Sequence, residues 1–175
     1  MKQGTKNKII RRCIFAAAVV AVFLIQYTAS FAFHGSFFPS GLLLPLTVSI
    51  AMAEREYAGL CFGLLAGVLT DTASSVTDGV FTLFFAIIAC AAGLLAHYVF
   101  RDTVLTAVLF TAVAAVVYCG ILLAYNCLIH DVTFAGEFIK RIYLPSVILS
   151  AVFTPLFYFP CSALHNAFKA DMNTD

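Results

Sequence analysis

The sequence predicts an all-α, polytopic membrane protein, a single bundle of six transmembrane helices. Hydrophobic residues make up 62% of the chain and charged residues 11%, against roughly 45–50% and 25% in soluble domains. The mean hydropathy is +1.00. The apolar residues also fall into long runs, and 175 residues hold about six spans of ~20 residues with short connections and no separate soluble domain. A soluble catalytic module is excluded on that arithmetic. The net charge of +1 points to no nucleic-acid partner, because the basic residues flank the apolar runs instead of forming a face.

Residues 1–12 read as a basic tail carrying Lys2, Lys6, Lys8, Arg11 and Arg12. The first apolar run covers 13–33, with Gln26 and Tyr27 marking a side turned toward other helices. A charged lead, an apolar run and Ser30-Phe31-Ala32 also fit a cleaved signal peptide. At 21 residues the run exceeds the ~7–15 of a signal core, which favours a retained helix. A Gly- and Pro-containing turn at 34–40 leads to a second run at 41–53, with Pro45 in its first turn, where a missing amide is tolerated. This run is short: thirteen residues rise about 20 Å, so it spans only with Phe37 and Phe38 added or with local bilayer thinning. Glu54, Arg55 and Glu56 then read as a solvated turn at an interface.

The third helix is expected over 57–70, antiparallel to the second. Gly59, Gly63, Gly67 and Asp71 recur every fourth residue, a step that drifts by only about 40° around a helix. Such a face lets another helix approach backbone to backbone. Asp71 falls at the C-terminal end, where the macrodipole disfavours negative charge, so water, a cation or the amide end of the next helix must offset it. The connection 71–79 closes with Asp78-Gly79, and Thr77 or Asp78 is placed to cap the fourth run, 80–100.

Arg101 and Asp102 mark the next turn, and the fifth run, 103–129, carries Asn126 near its far end. Its 27 residues make about 40 Å of helix, which must tilt or project. Residues 130–141 read either as an interfacial helix, with Phe134, Phe138 and Ile142 opposite Glu137, Lys140 and Arg141, or as a solvated loop. The last run, 142–164, holds Pro145, Pro155 and Pro160, and Pro155 is expected to kink it. A polar tail, 165–175, follows. The domain organisation is thus 1–12 tail, 13–164 six-helix bundle, 165–175 tail.

With the N-terminus inside, the inner segments hold Lys2, Lys6, Lys8, Arg11, Arg12, Arg55, Arg101 and Lys169, and the outer ones Lys140 and Arg141. Eight against two satisfies the positive-inside rule and places both termini in the cytoplasm.

Chemistry-bearing patterns are few. Cys13, Cys61, Cys90, Cys119, Cys127 and Cys161 lie in or beside apolar runs without C-x-x-C spacing, and read as small apolar fillers. His34, His97, His130 and His165 scatter among different span ends. No nucleophile elbow, phosphate loop or H-E-x-x-H occurs, so no enzyme, cofactor or metal is expected. The residues singled out are Gly59, Gly63, Gly67, Asp71 and Gly79, for helix packing or partner contact.

Glu54-Arg55-Glu56-Tyr57-Ala58-Gly59, then Gly63-Leu64-Leu65-Ala66-Gly67-Val68-Leu69-Thr70-Asp71, then Gly79-Val80-Phe81-Thr82-Leu83, and later Gly93-Leu94-Leu95-Ala96, resemble the MreD family of rod shape-determining membrane proteins. That family commonly shows a charged turn, then G-x-x-x-G-x-x-x-G-x-x-x-D, then a Gly-Leu helix start. Here Asp78-Gly79-Val80 replaces the usual Leu-Gly-Leu, and no P-E or P-D lead begins the second span. The resemblance implies a non-catalytic subunit in the bacterial cytoplasmic membrane. With MreC it would link MreB filaments, indirectly, to peptidoglycan synthesis by RodA and a class B penicillin-binding protein. It also implies a fold similar to the substrate-binding component of energy-coupling-factor transporters. The alternative function is that component's, with outer loops near Asp71 and Asn126 closing over a vitamin. Ala17 and Ala21 meet its expected A-x-x-x-A contact, but a chain with no Trp and few mid-span polar groups is poor material for such a pocket.

Overall fold

The structure is a computed structural model that describes residues 3–32, 42–54, 56–73, 79–98, 103–129 and 144–171. Those residues form six helices: α1 (Gln3–Ala32), α2 (Leu43–Glu54), α3 (Glu56–Ala73), α4 (Val80–Tyr98), α5 (Val104–Ile129) and α6 (Leu144–Asp171). The prediction of an all-helical bundle holds. Three stretches, Ile9–Thr28, Val104–Ala124 and Ser146–Leu164, are long and apolar enough to cross a membrane, and Leu43–Glu54 and Val80–Ala96 are apolar but shorter.

The bundle is built around its shortest helix. Every residue of α2 except Ala53 is buried, and α2 packs on each of the other five helices. A helix apolar all round is suited to burial on every side. Its two hydroxyls conform: Thr47 donates to the Leu44 carbonyl and Ser49 to the Pro45 carbonyl. Twelve residues rise about 18 Å, less than the ~30 Å of a bilayer's hydrocarbon core, and the other five helices cover this short segment. Phe37 and Phe38 lie outside the described residues.

The outer surfaces of α5 and α6 are apolar. Leu105, Leu109, Val113 and Val116 on α5, and Ile148, Val152, Leu156 and Phe159 on α6, are exposed at intervals of three or four residues, the arrangement of a lipid-facing side. Inward, α6 aligns Ser150 and Thr154, each bonded to the carbonyl four residues back, with Ser146 a turn earlier. Pro155 and Pro160 sit inside α6, which continues through both. Between α4 and α5, Tyr118 is ringed by Phe81, Phe84 and Phe85, with centroids 5.1, 5.5 and 6.3 Å away. Phe15 and Phe62 meet edge to face at 6.1 Å and tie α1 to α3.

Several boundaries move. Helix α1 begins at Gln3, so residues 3–12 are the first turns of a helix where the sequence suggested a tail. Helix α6 runs to Asp171, absorbing the first part of the expected 165–175 tail. Lys6, Lys8 and Lys169 accordingly lie on helices, while Lys2, Arg55, Arg101, Lys140 and Arg141, and the whole of 130–141, lie outside the described residues. The filler reading fits Cys119 and Cys161, which are buried, but Cys13 and Cys61 are exposed. They sit on the outward sides of α1 and α3, where a small thiol-bearing side chain meets no packing demand.

Candidate functional site

The glycines of α3 are consumed within the chain. A Cβ built on Gly63 would stand 2.6 Å from the Phe85 carbonyl oxygen and 2.7 Å from the Ala89 Cβ. One on Gly59 would meet the Ala51 Cβ at 2.9 Å and the Ala89 oxygen at 3.1 Å, and one on Gly67 would collide with the Thr82 backbone. Each turn up α3 meets the next turn back along α4, so the contact is antiparallel and in register from Gly59 to Gly67. With α4 against all three and α2 against Gly59, this face has no room for a helix from another protein. Any partner must dock elsewhere.

One turn further on, the Asp71 carboxylate reaches the start of α4. Oδ1 accepts from the Phe81 amide at 3.2 Å, Oδ2 accepts from the Thr82 amide at 2.8 Å, and the Thr82 hydroxyl donates to Oδ2 as well. Gly79 opens the helix, its carbonyl accepting from the Leu83 amide. Phe81 and Thr82 are therefore the second and third helical residues, whose amides an N-cap side chain normally serves. Gly79 has no side chain, and Asp71 performs the service from the preceding helix. Of the three offsets open to Asp71, the structure selects the amide end of α4, and the macrodipole there favours the carboxylate. Thr77 and Asp78 lie outside the described residues.

Gly79 is not a packing residue. Its φ is +85°, and among the described residues nothing lies within 4 Å of a built Cβ. It is required by backbone conformation, since a left-handed φ is costly for other residues.

A second constellation went unread in the sequence. Gln26 Oε1 on α1 accepts from the amides of Leu42 and Leu43 at 3.2 and 3.0 Å. Leu42 immediately precedes α2, its carbonyl accepting from the Leu46 amide. Pro45 has no amide, so of the four donors left over at this helix start only that of Leu44 is not accounted for by Gln26 or proline. At the other end of α2, Glu54 forms an ion pair with Arg11, their side chains 1% and 9% exposed, and Arg12 Nε stands 3.9 Å from the second carboxylate oxygen. The solvated turn expected at 54–56 is corrected here: Glu54 is buried because α1 extends far enough to bring Arg11 beside it. Arg11 also answers the negative end of α2, which a C-terminal glutamate would otherwise aggravate. Glu56, in the first turn of α3, has its Oε2 buried with no hydrogen-bond partner among the described residues.

Among the described residues no three His, Cys, Asp or Glu side chains come together as metal ligands. What the arrangement does is hold helices: one carboxylate and one amide oxygen cap helix starts, one ion pair seals a helix end, and glycines close a hairpin.

The family model described as MreD, rod shape-determining protein MreD, matches residues 6–168. The chain belongs to the MreD family. It is accordingly a rod shape-determining membrane protein, and the matched stretch includes the whole α3–α4 hairpin with Asp71 and the Arg11–Glu54 pair. Comparisons with curated proteins and with solved structures return no match. The likeness of MreD to the energy-coupling-factor component thus rests on resemblance alone.

Proposed function

We propose that this MreD-family chain is a non-catalytic subunit of the bacterial cell-elongation complex. With MreC it couples cytoplasmic MreB filaments to the peptidoglycan-synthesising pair of RodA and a class B penicillin-binding protein. It crosses the cytoplasmic membrane six times, with both termini on the cytoplasmic side. The observation that carries the reading is the family match over residues 6–168. The bundle itself supports it: the close-packed glycine stripe is satisfied internally, so the subunit presents a preassembled body whose aliphatic flanks are free for lipid or for a neighbouring membrane segment.

The test is capture of MreC from the source bacterium in mild detergent, together with restoration of rod shape in cells lacking the chromosomal copy. The tagged chain is expected to retain MreC and to restore rods. Spherical cells and no retained MreC, with the chain present in the membrane at normal level, would overturn the proposal. A reporter fused after Asp175 that works only outside the cytoplasm would overturn the orientation.

A further inference from the structure

We infer that the cytoplasmic end of α1 is a binding site for the phosphate headgroup of an anionic phospholipid, with Arg12 as its principal contact. The inference starts from charge accounting. Helix α1 carries Lys6, Lys8, Arg11 and Arg12 within its first ten residues and no acidic residue anywhere. Glu54 is the one carboxylate that reaches this cluster among the described residues, and its closer oxygen is taken by Arg11. Arg12 is left with a contact of 3.9 Å and a side chain 61% exposed. Among the described side chains, a single carboxylate thus faces two guanidiniums.

The position of Arg12 makes its surplus charge specific. Ile9, Ile10 and Ile14 are exposed at 49%, 49% and 42%, and the span that can cross a membrane already begins at Ile9. Arg12 is therefore bracketed along the helix by aliphatic side chains that belong in the acyl region. A guanidinium at that depth extends toward the headgroup layer and takes an anion there. Its planar fork suits the two free oxygens of a phosphodiester. Ile9, exposed and about 60° around the helix from Arg12, offers an acyl chain an apolar contact that free phosphate cannot use.

The experiment is lipid titration of the purified full chain in mild detergent, read by native mass spectrometry, with phosphatidylglycerol, phosphatidylcholine and inorganic phosphate as separate probes. Phosphatidylglycerol is expected to bind more tightly than either other probe. Arg12→Gln should weaken it about fivefold, the effect of one basic residue at an anionic surface. Arg12→Lys, which keeps the charge without the planar fork, should recover only part of the loss, and Lys140→Gln, expected at the opposite face, should change nothing. Equal binding of phosphatidylcholine, an unaltered Arg12→Gln variant, or an equal loss in Lys140→Gln would overturn the site. Should Arg12→Gln lose helix content, the wild-type chain decides: binding that fades several-fold as salt rises supports the site, and salt-insensitive binding overturns it.

Discussion

The α3–α4 pair and the α1–α2 pair solve the same problem differently. Helix α3 lies against α4 along its length, a glycine in successive turns removing the side chains that would hold the backbones apart, and Asp71 closes the top. Between α1 and α2 the polar contacts sit at the two ends of α2, Gln26 at its first amides and Arg11 at its last acidic residue. Fifteen residues separate Gln26 from Arg11, about 22 Å of helix, enough to bracket the ~18 Å of α2. The first pair depends on shape, and an added atom harms it. The second depends on charge and hydrogen bonding, and a missing group harms it.

The largest expected effect tests the second pair. Arg11→Met leaves the buried Glu54 with only the 3.9 Å approach of the exposed Arg12 and should cost roughly 3 kcal/mol, read as thermal unfolding of the purified chain followed by circular dichroism. Adding Glu54→Leu should restore most of that loss, since a paired removal leaves no orphan charge. If the double variant is as unstable as the single one, the ion pair is not what holds this end.

Next comes the shape test. Gly63→Leu should cost about 3 kcal/mol through overpacking against Phe85 and Ala89, whereas Cys61→Leu, on the exposed side of the same helix, should stay within about 0.5 kcal/mol. Equal losses would deny the stripe its packing role. Smaller again is Asp71→Ala, which frees two amides and a hydroxyl and should cost about 1–2 kcal/mol. Asp71→Asn, retaining one acceptor oxygen, should fall between. Asp71→Ala should also alter cell shape, and normal rods at normal membrane levels would confine Asp71 to stability. The smallest change is Gln26→Ala, about 1 kcal/mol; no change at all would mean that water serves the α2 amides equally well.

The legibility of the two pairs differs for the same physical reasons. The hairpin was readable because its signal is local and periodic: glycine every fourth residue on one helix, followed by an acid in phase. The identity of the Asp71 partner was only narrowed, because the choice among water, cation and amides depends on where α4 begins, ten residues along. The Arg11–Glu54 pair joins residues 43 apart in sequence, and each stands in a cluster that looks like something else, a basic lead and a charged turn. Gln26 announced a helix-facing side but not its target. The centrality of α2 had a readable sign that shortness obscured: a segment apolar on every side, with serine and threonine bonded to their own backbone, asks for protein neighbours all round. Tyr118 carried no pattern at all, since the three phenylalanines around it come from another helix.

The enclosure of α2 carries over to how the chain is made. In the proposed six-crossing arrangement it emerges second, too brief to reach from one headgroup layer to the other unaided, yet the wall on one of its flanks is α6, which is translated only after α3, α4 and α5. The nascent protein must therefore carry an undersized segment, steadied by its predecessor, until the closing piece arrives to complete its jacket.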